Sequence, residues 1–323
     1  VDLAEDTSIS PAVLEEWMER VLVPLGLNAL QLSLLNRLGC ALRLSSLEWL
    51  HHAVPKPIAE PWTDESLGRI VAFADRLGLE LIPEISVTTE ALGWFYAGFL
   101  VDCPNTLCSS QHSGADSEEG TTFANDVRNG SLLPVILQMV RKLRGIFRPG
   151  SFLHLGSDER RASRACWRES GDDTVPPNYY DAFEQRLSDL VVETFGWYNS
   201  SSILRWENRE GILYPQRTGA ITQYRYGVPD AKPEGGESDQ LTFGSLSINP
   251  EQGPWSVYLE TRKWVERRPK GLLARISVKG ILDDPASNED TGQQTKMGLL
   301  AFAVGLSSNI PPLEDASALD SYL

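Results

Sequence analysis

Two adjacent carboxylates at the end of an alternating segment are the residues of this 323-residue chain best suited to chemistry: Phe152-Leu-His154-Leu-Gly156-Ser-Asp158-Glu159. In an extended strand His154, Gly156 and Asp158 share one face while Leu153 and Leu155 share the other, so the polar set and the leucines point opposite ways. Neighbouring carboxylates disfavour each other's ionisation, which raises at least one pKa and makes an acid able to donate a proton near neutrality. Glu159 joins Asp158 in a cleft only where the strand curls as it ends. The same pair also reads as an acidic strand end that faces water or caps the next helix. Spacing alone leaves both readings open.

Positioning such a pair requires a scaffold, and the chain alternates helical and extended patterns. Residues 10–26 read as an amphipathic helix, with Ser10 as cap, Pro11 in the first turn, a stripe of Leu14, Trp17, Met18, Val21, Leu22 and Leu25, and Gly26 as stop. Residues 28–34 alternate, with Leu30, Leu32 and Leu34 on one face and Gln31 and Ser33 on the other. The unit repeats: Thr63 caps a helix through Leu67, Ile70, Val71 and Ala74, Gly78 stops it, and residues 79–85 form a strand. A helix near 132–146 leads to a strand at 151–156, and one through Phe183, Leu187, Leu190, Val191 and Thr194 leads to a strand at 201–206. Further strands are expected at 220–224, 241–246 and 272–277, and a closing helix through Met297, Leu300, Ala301 and Val304.

With Val1-Asp-Leu3 the expected strands number eight. Strand–helix alternation demands right-handed parallel crossovers, and eight units close most naturally into an α/β (β/α)₈ TIM barrel, one domain spanning residues 1–323. An open doubly wound sheet is the alternative, but no Gly-rich phosphate fingerprint follows the first strand. Barrel active sites sit at the carboxyl ends of the strands, and the longest loops, 86–131 and 227–240, lie on that side.

The string His154-Leu-Gly-Ser-Asp158-Glu159, followed by Cys166-Trp167, resembles the His-x-Gly-Gly-Asp-Glu segment of glycoside hydrolase family 20, the β-N-acetylhexosaminidases. The resemblance continues in order along the chain. Gly26-Leu27-Asn28 with Leu30-Gln-Leu is similar to the family's second strand, Pro83-Glu84-Ile85 to its third, Cys103-Pro104-Asn105 to the loop beyond, Ile203-Leu-Arg-Trp206-Glu207 to its fifth strand, and Tyr258-Leu259-Glu260 to a Tyr-Leu-Asp element. It implies exo-hydrolysis of terminal β-linked N-acetylglucosamine or N-acetylgalactosamine, with the sugar's own 2-acetamido carbonyl attacking the anomeric carbon. Carried over by position, Glu159 is the general acid and base, and Asp158 orients and stabilises the acetamido group. Tyr258 donates to the acetamido oxygen, and Trp206 helps box its methyl. Glu84, Trp94, His154 and Glu207 complete the implied substrate-binding set. The aromatics also read as ordinary barrel core. The family places a smaller α/β domain before the barrel, and residues 1–323 are expected to include none of it.

The departures are specific. Asp2-Leu-Ala-Glu5 puts a glutamate where the family has the arginine that grips sugar hydroxyls, and Ser86-Val-Thr-Thr89-Glu90 replaces an Asp-x-Pro-Gly-His pattern. Asn36-Arg37-Leu38-Gly39 stands for an acidic pair with Gln-Gly, and no Trp-x-Glu is recognisable near residues 278–283. Losing a bidentate arginine costs more than losing a neutral hydrogen bond. Two functions therefore compete: an active hexosaminidase-like glycosidase, and a catalytically impaired relative that binds glycans or serves a structural role.

Composition narrows the partners. With 29 Lys+Arg against 44 Asp+Glu, a net charge of −15, 41% apolar and 23% charged residues, the chain is globular and lacks the basic surface a nucleic acid requires. No apolar run reaches the roughly 20 residues of a membrane span. The four histidines, His51, His52, His112 and His154, show no metal-binding spacing, and the acidic stretch Asp283 to Asp290 lacks that of a calcium loop, so no metal or cofactor is expected. The expected partner is an oligosaccharide or glycoconjugate, with a homodimer left open. Sequons at Asn129 and Asn199 and four cysteines lean toward the secretory route, lysosomal, vacuolar or extracellular. Cys103 and Cys108 are expected to lie close, and Cys40 and Cys166 to be free and buried.

Overall fold

The computed structural model describes residues 3, 9–36, 40–45, 62–87, 107–110, 122–125, 132–147, 152–156, 179–195, 203–206, 221–223, 242–248, 254–267 and 271–276. Its elements are α1 (Pro11–Trp17), β1 (Ala29–Leu35), β2 (Leu42–Arg43), β3 (Trp62–Thr63), α2 (Asp64–Leu77), β4 (Glu80–Ile85), β5 (Leu107–Ser110), β6 (Thr122–Asn125), α3 (Leu132–Ile146), β7 (Leu153–His154), α4 (Tyr179–Phe195), β8 (Ile203–Trp206), β9 (Ile221–Gln223), β10 (Thr242–Ile248), α5 (Pro254–Arg267) and β11 (Gly271–Ile276). Contacts divide the chain into two compact units, residues 1–20 with 28–221, and residues 21–27 with 222–323.

In the first unit β1 pairs in parallel with β4, β4 with β7, and β7 with β8. The leucines of β1 explain its place: Leu30, Leu32, Leu34 and Leu35 are all buried, as a parallel strand covered on both faces requires. The helices form where caps and apolar stripes direct them. The Ser10 hydroxyl accepts from the Val13 amide at 3.3 Å to start α1, and a π-helical turn, Met18–Leu22, continues it. Thr63 and Ser66 form a reciprocal capping box at the start of α2, and Gly78, at φ +73°, ends it in the left-handed region that favours glycine. Leu67, Ile70 and Ala74 of α2 and Ile136, Met139, Val140 and Leu143 of α3 are buried at helical spacing. Successive helices pack on each other, α1 on α2, α2 on α3 and α3 on α4. Glu15 and Arg69 join α1 to α2 through a two-pronged ion pair.

In the second unit β9, β10 and β11 pair in parallel, and α5 packs on β10. Apart from the strand at residues 1–3 and the closing helix, the strands and helices expected from periodicity are present at these places within a few residues. β7 is shorter than its expected range, and Leu3 appears as one residue whose amide donates to the Ser33 carbonyl at 3.0 Å. Four features were not expected: the short parallel pair β2–β3, the antiparallel pair β5–β6 within the 86–131 loop, the π turn, and α5. The closing helix through Met297 lies outside the described residues. What stands is an α/β arrangement of parallel strands.

Cys40 is free and buried, as expected, and burial pushes its thiol up to about 12 despite the hydrogen bond it donates to the Leu42 carbonyl. Cys108 sits in β5 opposite Ala124, while Cys103 and Cys166 lie outside the described residues. No helix among the described residues is long and apolar enough to cross a membrane.

Asp64 opens α2 and ties it to α3. Its carboxylate accepts from the Ser45 hydroxyl and amide and pairs with Lys142 at 2.9 Å. Burial alone would raise its pKa, but these donors outweigh it and hold the carboxyl below the ordinary range. A carboxyl lowered in the folded state stabilises above its unfolded pKa of about 4, and that contribution is lost as pH falls through the folded value. Asp64→Asn is therefore expected to destabilise at pH 7 by at most about 1 kcal/mol, since the pair is partly exposed. The gap from wild type should close in strong acid. Urea unfolding at neutral and acidic pH checks this, and an equal gap at both would refute it.

Candidate active site

The carboxyl ends of β1, β4 and β7 bring together buried polar groups where ordinary core would carry hydrocarbon: Ser33, Asn36, Glu84, Ser86 and His154. Register accounts for the grouping, because Ser33 lies opposite Glu84 and Glu84 opposite His154. Gln31, on the same face of β1 as Ser33, donates through Nε2 to Glu84 Oε2 at 2.8 Å. The Asn36 amide donates to the Ser33 hydroxyl at 3.1 Å. Burial of a carboxylate is tolerable only with such donors around it.

His154 is fully buried. Its Nδ1 accepts the Gly156 amide hydrogen at 3.0 Å, and Glu84 Oε1 lies 3.8 Å from the same nitrogen, beyond hydrogen-bonding distance. The pairing of β7 and β8 continues past His154, since the Leu155 amide donates to the Leu204 carbonyl at 2.9 Å. Gly156 then leaves the strand at φ +71°, with Ser86 backbone against it. Asp158 and Glu159 follow two and three residues on, outside the described residues, as do Trp94 and Glu207.

Of the implied site residues, the structure thus brings Glu84 and His154 side by side. Only the backbone of Trp206 is described, in β8, the strand next to β7. Tyr258 lies in the second unit, buried in α5, stacked on Trp255 with ring centroids 4.9 Å apart and its hydroxyl accepting from Arg262 at 3.3 Å. Next to it, burial raises the Glu260 carboxyl, with Lys263 opposing the shift. Ser33 and Gln31 were read only as a polar strand face, and their alternation with leucines was the signal for a shared polar cluster. Among the described residues no group of three His, Cys, Asp or Glu side chains gathers to hold a metal.

No protein-family model matches this chain, and no curated protein matches it. Solved structures do. The Flavobacterium johnsoniae chitobiase of glycoside hydrolase family 20 is similar at TM-score 0.59 and 15% identity, over 94% of this chain and 51% of its own. Dispersin B is similar at TM-score 0.58 and 15% identity, over 93% of this chain and 96% of its own. The family 20 exo-β-N-acetylglucosaminidase of Vibrio harveyi gives TM-score 0.58 and 16% identity, over 92% and 52%. The chain spans about half the length of the chitobiase and the Vibrio enzyme. The fold is that of these glycoside hydrolase structures, so the family 20 resemblance carried by the motifs is matched by a likeness of fold.

Proposed function

We propose that the chain is a divergent, hexosaminidase-like glycoside hydrolase whose strands close into a (β/α)₈ barrel, removing terminal N-acetylglucosamine or N-acetylgalactosamine with retention. The observation that carries this reading is the turn at Gly156, which ends a strand of a family 20-like fold two residues before an Asp-Glu pair. In the proposed reaction the 2-acetamido oxygen attacks the anomeric carbon while Glu159 protonates the departing oxygen. Asp158 holds the acetamido N–H and stabilises the positive charge of the resulting oxazolinium. The Glu159 carboxylate then takes a proton from water, which opens the oxazolinium and restores the acid. The proposed setting is the secretory route, consistent with the sequons at Asn129 and Asn199.

The test compares a β-N-acetylglucosaminide with the matching β-glucoside. Turnover of the first alone, with tight binding of a thiazoline analogue of the oxazolinium, is the expected result. A second reading, a glycan-binding relative without turnover, is favoured by Glu5 and Glu90 at the positions where the family has its arginine and histidine. Thiazoline or glycan binding without hydrolysis would select it; neither binding nor turnover would end both.

A further inference from the structure

Gly68 and Gly145 stand within helices, α2 and α3, where among the common residues only proline is less favourable. Neither is at positive φ, and a Cβ built at either would meet nothing within 4 Å. A special backbone conformation and a close approach of chains, the usual reasons for a glycine, are therefore both lacking. Both glycines instead line a groove of about 590 Å³ between α2 and α3, a volume within the range of small-molecule sites. Asp64, four residues before Gly68, lies on the same face of α2, and Gln138, Arg141 and Lys142 form one stripe of α3 with Gly145. A side chain larger than alanine at either glycine would take up space that the groove leaves open.

The donors along the α3 wall are not used up by the protein. The Arg141 guanidinium lies over the Phe195 ring, 5.4 Å from its centroid, which leaves the N–H fork at its edge open, and among the described residues no carboxylate pairs with it. The Gln138 amide is exposed and makes no hydrogen bond among the described residues. Lys142 Nζ carries three hydrogens, of which Ser45 Oγ at 3.0 Å and Asp64 Oδ2 at 2.9 Å take two. Lys142 thus balances Asp64, and Arg141 is left as the unbalanced charge of the groove. A guanidinium fork matches a carboxylate or phosphate with two parallel hydrogen bonds. We infer that the groove between α2 and α3 is a binding site for a small organic anion, whose carboxylate or phosphate is held by Arg141 with Gln138 and Lys142 beside it. The site lies on helices, away from the strand ends, and does not depend on the glycosidase reading.

The experiment titrates the full chain at low salt, where charge pairing is least screened, with glucuronate, glucose 6-phosphate, glucose and inorganic phosphate, followed by calorimetry. Expected is saturable binding of glucuronate or glucose 6-phosphate with a Kd of about 1 mM or tighter, and at least about tenfold weaker binding of glucose and of inorganic phosphate. The two anionic sugars separate a carboxylate site from a phosphate site. Arg141→Gln removes the fork and Gly68→Leu fills the groove, and each should weaken the better anion by about tenfold or more. Gly68→Ala adds only a Cβ in open space, so it should keep binding and raise the thermal midpoint, since alanine is the better helix former. Should the leucine variant fail to fold, Arg141→Gln still decides. No saturable binding by the wild type, glucose or inorganic phosphate binding as tightly as the anionic sugars, or binding unmoved by Arg141→Gln overturns the proposal and leaves the glycosidase reading untouched.

Discussion

Glu159→Gln is expected to lower kcat by about 10²–10⁴-fold on a β-N-acetylglucosaminide whose leaving group is another sugar. The amide can neither deliver a proton to the departing oxygen nor take one from water. The size of the loss should follow the leaving group: a sugar alkoxide departs only with a proton, whereas a nitrophenolate departs without one, so the aryl substrate loses less in the first step. Asp158→Asn acts differently. It keeps the shape and removes the negative charge that the proposed mechanism sets beside the oxazolinium, a loss of about 10²–10³-fold by analogy with deleted transition-state donors. It should also weaken thiazoline binding more than Glu159→Gln does, since in the proposed reading Asp158 faces the ring nitrogen, which carries that positive charge once protonated. Wild-type turnover of a disaccharide by Glu159→Gln would remove Glu159 as the acid and with it the assignment of the pair.

Gly156→Ala is expected to destabilise the protein by about 3–5 kcal/mol, a loss at the top of the range for single substitutions. Two costs add. At φ +71° any L side chain crowds its own backbone, worth about 1–2 kcal/mol. The new Cβ would also stand 2.6 Å from Ser86 Cα and 2.8 Å from its Oγ. The hydroxyl can rotate away, but the Cα cannot, because the Ser86 amide is bonded to Leu35 and the Val87 amide to Leu155. Relief must come from separating β4 and β7, which disturbs the Glu84 and His154 pairing. Urea unfolding reads the effect as a lower midpoint at unchanged slope. A shift worth under about 1 kcal/mol would show that the turn yields easily, against the close approach of the two strands.

The strand that precedes Asp158-Glu159 was legible in the chain because alternation is a local property: His154 and Gly156 on one face and Leu153 and Leu155 on the other need no partner to be recognised. The same holds for the Thr63 cap, the Gly78 stop and the apolar stripes of α2 and α3, each set by neighbours within a few residues. α5 was missed because Tyr258-Leu259-Glu260 reads as a motif, although Val257, Tyr258 and Thr261, buried in the helix, stand at helical spacing. Hairpin β5–β6 was missed because its pairing joins residues across the chain with no tight-turn signal between them.

By itself, then, the sequence determined an α/β chain of repeated helix and strand, an Asp158-Glu159 pair two residues beyond Gly156, and a resemblance to family 20 in the order of its motifs. Only the tertiary structure decided that half-buried Gln31 meets buried Glu84 and His154, each from a separate strand, and that Gly156 is demanded by Ser86 rather than by the turn alone. The reason is register. Which residues of two parallel strands stand opposite each other depends on crossover lengths and on how the intervening helices pack, and a shift of one position would send Glu84 and His154 to opposite faces.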